Sequence, residues 1–549
     1  MCSRHATGKK KERPAINKVE FSVLLFILYI LLRNCFVSSI DRNIGSAALF
    51  FVLFYIASRQ WIIAGSRDRN STLLYGGFVF LFTCYLLGFF YSAVVDKESI
   101  NALFLPNKSI FSILLASQLA FVLPLYFSRI KRPDCFFHKP GLIAEGVVFL
   151  LSIFLLVQTG GRSGWIGFFA ALVYLAYKGT TGKRVKKVIL LSCFPVLIFS
   201  FFFLLTYKPG SSNGRMLIYK ISMKMFRENW LWGIGQGKFS IQYGEYQAGY
   251  FSSHPINGQE ALLADNTIYT FNDWYQLLIE NGVPGALFLV LIAGLAIKQA
   301  GKIIPRSAPV HFAAIASLIC ISSASFFSYP VHVLPISIHA IVCLSILNSF
   351  PGKENDKPVR ETRGGKIVRI SCLIGCLLLC IHFLSLLHYK LQSHKAFESA
   401  RSGYKKNALT TYNRIMGSTI EEGPVLFLYA TELYQSNQLV KAEKIICRAK
   451  QLYCTYELFK LAARVARGLK KNKEAETNYL QAVLMVPNRM ASRCELLDFY
   501  LERKDTTKAV FWASSVLSMP VKMPSAITLA MQQKTKEILK RLYRKPDRY

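Results

Sequence analysis

Acidic residues are scarce: 31 Asp and Glu stand against 67 Lys and Arg in 549 residues, a formal charge of +36. A nucleic-acid binder would gather such an excess on a folded polar surface. Here the basic residues fall in short segments between long apolar runs, which is the pattern of a topology signal and argues against nucleic acid as a partner. Signatures of metal and nucleotide chemistry are missing as well. The 13 cysteines show neither zinc spacing nor a disulfide framework, and Cys372, Cys376 and Cys380 recur at helical intervals in an apolar run, as packing residues do. There is no Asp-x-Asp pair for a metal–nucleotide-sugar complex, no Walker A loop and no Ser/His/Asp set. The start, Met1 to Lys18, is basic but has no small-residue cleavage site, and reads as a cytoplasmic tail before an uncleaved span.

What the chain has in quantity is apolar length. Hydrophobic residues make up 52% and mean hydropathy is +0.31, too apolar for a soluble surface of this size. Many runs approach the roughly 20 residues that cross a bilayer, where backbone groups must bond within their own segment, so the runs should be helices. About eleven spans are expected, near 19–38, 44–64, 73–93, 109–127, 141–158, 163–178, 188–207, 283–300, 310–328, 331–348 and 367–389. With the N-terminus inside, the Lys and Arg clusters at 9–13, 67–69, 129–132, 183–187, 298–306 and 353–363 all fall on the cytoplasmic side. The long segment 208–282 and everything after about residue 390 then lie outside.

The outer tail carries an internal period. Ala408, Ala442, Ala475 and Ala509 recur at spacings of 34, 33 and 34 within polar-then-apolar helical stretches. The clearest unit, with Phe459, Ala462, Ala463, Ala475, Tyr479, Ala482 and Pro487, resembles the tetratricopeptide pattern. The expected fold is therefore all-α: a polytopic membrane helix bundle over 1–390, then an extracytoplasmic α-solenoid over 391–549 that could bind a protein partner.

Four outward-facing segments carry residues suited to chemistry. Gly160-Gly161-Arg162-Ser163-Gly164-Trp165 forms a tight turn between two spans, where Arg162 could meet a lipid phosphate or serve as an interfacial anchor beside Trp165. Asn213-Gly214-Arg215 opens a helical stretch over 215–230, with Ser212 or Asn213 as cap and Arg215 on the apolar side, away from Lys220, Lys224 and Arg227. A helix N-terminus favours an anionic headgroup there; an interfacial amphipathic helix is the alternative. The glycine-rich Trp230-Leu231-Trp232-Gly233-Ile234-Gly235-Gln236-Gly237 reads as a structural turn, with backbone donors available to a substrate. Asp265 and Asp273 are candidate general bases toward a sugar hydroxyl, or else caps and solvated loop residues, and Asn272 immediately precedes Asp273. Outside the cytoplasm no ATP or nucleotide sugar is at hand, so the donor must arrive activated; a polyprenyl diphosphate-linked glycan fits, with the diphosphate as leaving group.

Taken in order, Gly-Arg-Ser-Gly-Trp, an outer loop with an Arg, Trp-x-Trp-Gly-Ile-Gly-x-Gly and Asn-x-x-x-Gln-Leu-Leu-x-Glu-x-Gly-x-x-Gly resemble the O-antigen ligase/polymerase family over roughly residues 140–300. The resemblance implies a bacterial inner-membrane glycosyltransferase that needs no metal or cofactor. It would move a glycan from undecaprenyl diphosphate to a hydroxyl on a lipid or glycan acceptor, with inversion. By motif position, Arg162 and Arg215 would hold the diphosphate, with Trp165 and Asn272 beside the substrate. One position departs from the pattern: the His expected immediately before that Asn is Phe271, so the base role passes to His254, Asp265 or Asp273, or to orientation alone. A lipid-linked glycan transporter and a membrane-anchored repeat scaffold are the competing readings.

Overall fold

Runs of Leu, Ile, Phe and Val without alternating polar positions satisfy their backbone in an apolar setting only as helices. The computed structural model describes residues 18–37, 42–64, 108–130, 139–189, 191, 209–301, 309–349, 363–416, 422–521 and 524–544, and every regular element among them is helical. In chain order the helices are α1 (Lys18–Val37), α2 (Arg42–Ala64), α3 (Lys108–Ile130), α4 (Lys139–Thr159), α5 (Arg162–Gly179), α6 (Pro209–Glu228), α7 (Phe239–Phe251), α8 (Gln259–Leu263), α9 (Asp273–Gly301), α10 (Pro309–Ala324), α11 (Leu334–Ser349) and α12 (Arg363–Arg401). They continue as α13 (Lys405–Ile415), α14 (Gly423–Gln435), α15 (Leu439–Leu452), α16 (Tyr456–Gly468), α17 (Asn472–Met485), α18 (Met490–Glu502), α19 (Thr506–Leu517) and α20 (Ala526–Arg544).

Of the expected spans, 73–93 lies outside the described residues, as does nearly all of 188–207; the others fall on helices. Lys108–Ser128 and Asp273–Gly301 are long and apolar enough to cross a bilayer, and shorter apolar helices occupy Leu49–Arg59, Gly146–Thr159, Pro309–Ala324 and Leu334–Ser349. The stretch expected as one span to residue 328 ends earlier, because α10 stops at Ala324 and Pro330 opens a 3-10 turn. Two units result: Met1–Ile189, Val283–Ala324 and Pro330–Leu373 form one; Leu190–Gly282, Ser325–Tyr329 and Ile374–Tyr549 form the other.

In the first unit α3 is the hub, buried without a break from Ile110 to Phe121. Glycine at every third position of the α5 entry lets the neighbours approach. A Cβ on Gly164 would stand 2.5 Å from Ser112 Oγ, and one on Gly167 would stand 2.5 Å from the Cys320 carbonyl oxygen. At another corner of this unit Glu20 pairs with Arg59. Tyr55 donates to Glu20 at 2.7 Å, Asn348 to Tyr55 at 3.0 Å and Gln299 to Asn348 at 3.1 Å.

The second unit holds the long segment before Gly282, expected from the sequence to lie outside and called the outer segment below, and the tail. α12 runs unbroken from Arg363 into the tail, where helices pair as α14 with α15, α16 with α17 and α18 with α19. The period read in the sequence has a backbone cause. Gly403, Asn437, Lys470 and Lys504 all have positive φ and stand two residues before α13, α15, α17 and α19, so each marks the reversal from one helix into the next. The fourth residue of each of those helices is the periodic alanine, fully buried at all four positions, where a larger side chain would hold the helices apart. Ion pairs tie one pair to the next: Arg464 grips Glu495 through two nitrogens at 2.7 and 2.6 Å, and Lys508 reaches Glu476 at 2.8 Å.

Candidate functional site

Two glycine motifs far apart in sequence turn out to be one joint. α9 is broken at Gly282, whose φ of 65° and ψ of −166° belong to neither helix nor strand. The turn after α6 docks on this break, backbone against backbone: Ile234 donates to the Ile279 carbonyl at 3.0 Å and Gly235 to the Glu280 carbonyl at 2.8 Å. Contact is so close that a Cβ on Gly233 would stand 2.4 Å from the Glu280 carbonyl. Side chains lock it further. The fully buried Glu280 accepts from Gln276 at 3.1 Å, and Asn281 donates to Gln236 at 2.8 Å. The backbone donors expected to face a substrate at Ile234 and Gly235 therefore serve the chain itself. Trp230 and Trp232 remain exposed on the outside of the turn.

The helix that leads into this joint, α6, carries Arg215 near its start. α6 begins at Pro209, ahead of the caps expected at Ser212 or Asn213, since proline fits the first helical turn. Its buried stripe is Leu217, Ile221, Ser222 and Met225, which leaves Arg215 and Tyr219 at the edge while Lys220, Lys224 and Arg227 are exposed. The Arg215 guanidinium lies 5.1 Å over the Phe271 ring and donates to the Phe327 carbonyl at 3.0 Å. Phe271 itself has φ of 59°, a conformation rare for a bulky residue and frequent at functional sites. Tyr329 meets Phe271 edge-on at 5.5 Å and stacks on Tyr269 at 4.2 Å. Burial pushes the Tyr219 hydroxyl up, opposed by the Arg215 charge and a hydrogen bond with Asn272. Residues 325–328, read in the sequence as the end of a span, thus supply a wall of the site together with Tyr329; Pro330 was the signal that the helix had to stop first.

The remaining candidates occupy distinct settings. Asn272 caps the Tyr275 amide at 3.0 Å, and the buried Asp273 opens α9, its amide donating to the Ser325 carbonyl at 2.9 Å. Asp265 is paired with Arg489 at 3.0 Å. His254 stacks on Tyr250 at 3.8 Å and donates from Nδ1 to the Tyr250 carbonyl at 2.8 Å, which leaves the lone pair of the neutral ring on Nε2. Beside it Lys220 and Tyr250 both engage Glu260, at 3.0 and 2.5 Å, and hold that carboxyl below its usual range. In the first unit Arg162 is the opening residue of α5, at the end of a helix whose dipole favours an anion over a cation. Trp165 on the same turn is exposed, and Ser163 meets Ser109 at 3.0 Å. Among the described residues no group of three or more His, Cys, Asp or Glu could hold a metal ion.

The stretch from α4 to the first half of α9 holds Arg162, Arg215 and the glycine joint. Residues 147–290 match the family model described as O-Antigen ligase. That match supports O-antigen ligase- or polymerase-type function in general and a membrane setting. It covers the segment where the sequence motifs cluster and stops short of the helical repeats. No curated protein matches the chain.

Proposed function

We propose that the chain transfers a glycan from an undecaprenyl diphosphate carrier to an acceptor hydroxyl on the outer face of the bacterial inner membrane, as O-antigen ligase or polysaccharide polymerase. The observation that carries this reading is Arg215, braced by the Phe271 ring and the Phe327 carbonyl inside the segment that matches O-Antigen ligase. As the acceptor oxygen attacks the anomeric carbon, the bond to the diphosphate breaks and negative charge grows on the leaving group. A guanidinium fixed before the reaction stabilises that charge without reorganising, and no metal is needed for the purpose. Arg162 carries the same assignment from its motif, and the anion-favouring helix end supports it. The acceptor proton goes to His254, Asp265 or Asp273. The lone pair on His254 Nε2 suits the task, whereas Asp265 would have to give up its pairing with Arg489.

Contacts within the first unit support the expected topology. Glu20, Arg59, Gln299 and Asn348 lie at helix ends that the loop charges assign to the cytoplasm, and they meet in one network. Ser109, Ser112, Gly161 and Ser163 lie at ends assigned outside, and they also meet. The tail is a tetratricopeptide-like solenoid on this reading, supported by its period and its regular left-handed reversals.

The test is transfer from a synthetic undecaprenyl diphosphate glycan by purified protein. Arg215→Ala and Arg162→Ala are each expected to lower transfer by about 100- to 1,000-fold, the loss that follows removal of one charge-stabilising donor. Lysine at either position should recover only part, because it lacks the planar fork. Wild-type rates in both alanine variants would end the proposal.

A further inference from the structure

The helical pairs of the tail have an occupant already: the outer segment of the same chain. α7 packs along α17, where Ala248 joins Cys454, Phe459, Ala482 and Met485 in one buried cluster. The contact is close enough that a Cβ on Gly244 would stand 2.9 Å from Cys454 Sγ. Polar bonds follow the apolar ones. Gln247 donates to the Met485 carbonyl, and Asn488 donates to the Ala261, Leu262 and Ala264 carbonyls at 3.1, 3.1 and 2.7 Å. Asn266 donates to Glu457 at 2.8 Å.

At the centre is Arg493, wholly buried and without a carboxylate partner among the described residues. Its guanidinium donates to the Ile256 and Pro487 carbonyls, each at 2.7 Å, to Asn257 Oδ1 at 2.5 Å and to the Ser515 carbonyl at 3.0 Å. A buried guanidinium costs several kcal/mol in desolvation and persists only where every donor is met. Here the acceptors come from three segments, so the arginine is satisfied only while the outer segment is seated. Packing then runs on to Arg215. Leu217, Ile221 and Met225 of α6 share a core with Phe239, Tyr243 and Phe251 of α7, and Leu484 of α17 closes that core from below.

We propose that the helical repeats hold the outer segment throughout transfer, so that their surface serves this chain in place of a recruited protein, with Arg493 as a positioning residue for Arg215. The activity readout rests on the transfer reading; the docking readouts do not.

A cysteine pair tests this in the full chain. Gly244→Cys places a second sulfur beside Cys454, whose Sγ would stand 2.9 Å from the new Cβ once the flexible Met485 methyl, 2.5 Å away, turns aside. Burial pushes the Cys454 thiol up to about 12, so little of it is thiolate at neutral pH and the oxidation is run at alkaline pH. Oxidised protein is expected to carry the 244–454 cross-link, read by peptide mapping, and to keep transfer within about threefold of the reduced protein. Two results would overturn the proposal: no cross-link under oxidation, or a cross-link that stops transfer until reductant restores it. Arg493→Met is the companion. With helix content unchanged by circular dichroism, amides of 252–266 should exchange at least tenfold faster and transfer should fall at least tenfold, with Arg493→Lys between. Wild-type exchange in Arg493→Met would remove Arg493 from the role, whatever the activity.

Discussion

Replacing Gly282 with alanine strikes the joint where the turn after α6 docks on α9, and its cost can be worked out in parts. The φ of 65° and ψ of −166° are open essentially to glycine alone, and another residue held there is strained by about 1–3 kcal/mol. The added Cβ would stand 2.3 Å from the Leu231 carbonyl oxygen and 2.7 Å from the Gly233 nitrogen. Backbone cannot swing aside as a side chain can, so the turn must lift away from α9. Lifting it breaks the bonds from Ile234 and Gly235 to the Ile279 and Glu280 carbonyls, worth about 1 kcal/mol each. Together these give about 3–5 kcal/mol against the joint. Gly160→Ala separates strain from collision. Its φ is 58°, yet nothing lies within 4 Å of an added Cβ, so it should lose only the about 1–2 kcal/mol of the left-handed backbone. Amide exchange in detergent reads the difference directly: the Ile234 and Gly235 amides should exchange at least about 100-fold faster in Gly282→Ala, and at the wild-type rate in Gly160→Ala. Protection at wild-type level in Gly282→Ala would refute the close backbone contact at this joint.

Three further outcomes follow from the same geometry. Phe271→Leu removes the ring beneath Arg215, an interaction of about 0.5–1 kcal/mol, and should raise the KM for the lipid-linked donor two- to fivefold, by about that free energy, with kcat little changed; a kcat loss alone would place the ring's effect elsewhere. Ala475→Leu overfills a fully buried helix crossing and should cost about 1–3 kcal/mol, seen as earlier loss of helical signal on heating. Lys508 and Tyr500 hold the Glu476 carboxyl below its ordinary 4.5. Its contribution is therefore present above that pH and lost as pH falls through the lower folded value. Thermal stability should drop between about pH 5 and 3 in the wild type, and less steeply in Glu476→Gln.

Helices were legible because apolar runs of this length leave the backbone no other choice, and the tail's period was legible because its alanines must be small. The site was legible only at its charged end. Arg215 stands out on α6 as the basic residue away from Lys220 and Lys224, but its partners do not. One is the backbone carbonyl of Phe327, which no side-chain pattern marks, and the other is an aromatic where the family pattern led one to look for histidine. Gly233 read locally as part of a structural turn and Gly282 as part of the block entering a span. Their closeness arises from the pairing of chain segments about fifty residues apart, and a motif scanned within a window of a few residues carries no trace of it. Arg493 was missed for a similar reason. An arginine in a basic chain invites a surface reading, and only its neutral acceptors from 256 and 515 reveal that it is interior.

The sequence separations in the outer segment bear on how the protein is made. Arg215 meets its carbonyl acceptor 112 positions later, and Asn257 meets Arg493 236 positions later. At a ribosomal pace of about 5–20 residues per second, the second interval is about 10–50 seconds. On the proposed topology this segment is exported during that time, with the apolar face that packs on the later helices still uncovered. A message truncated before codon 493 would leave it so permanently, and such a fragment should be a ready substrate for envelope proteases and holdase chaperones.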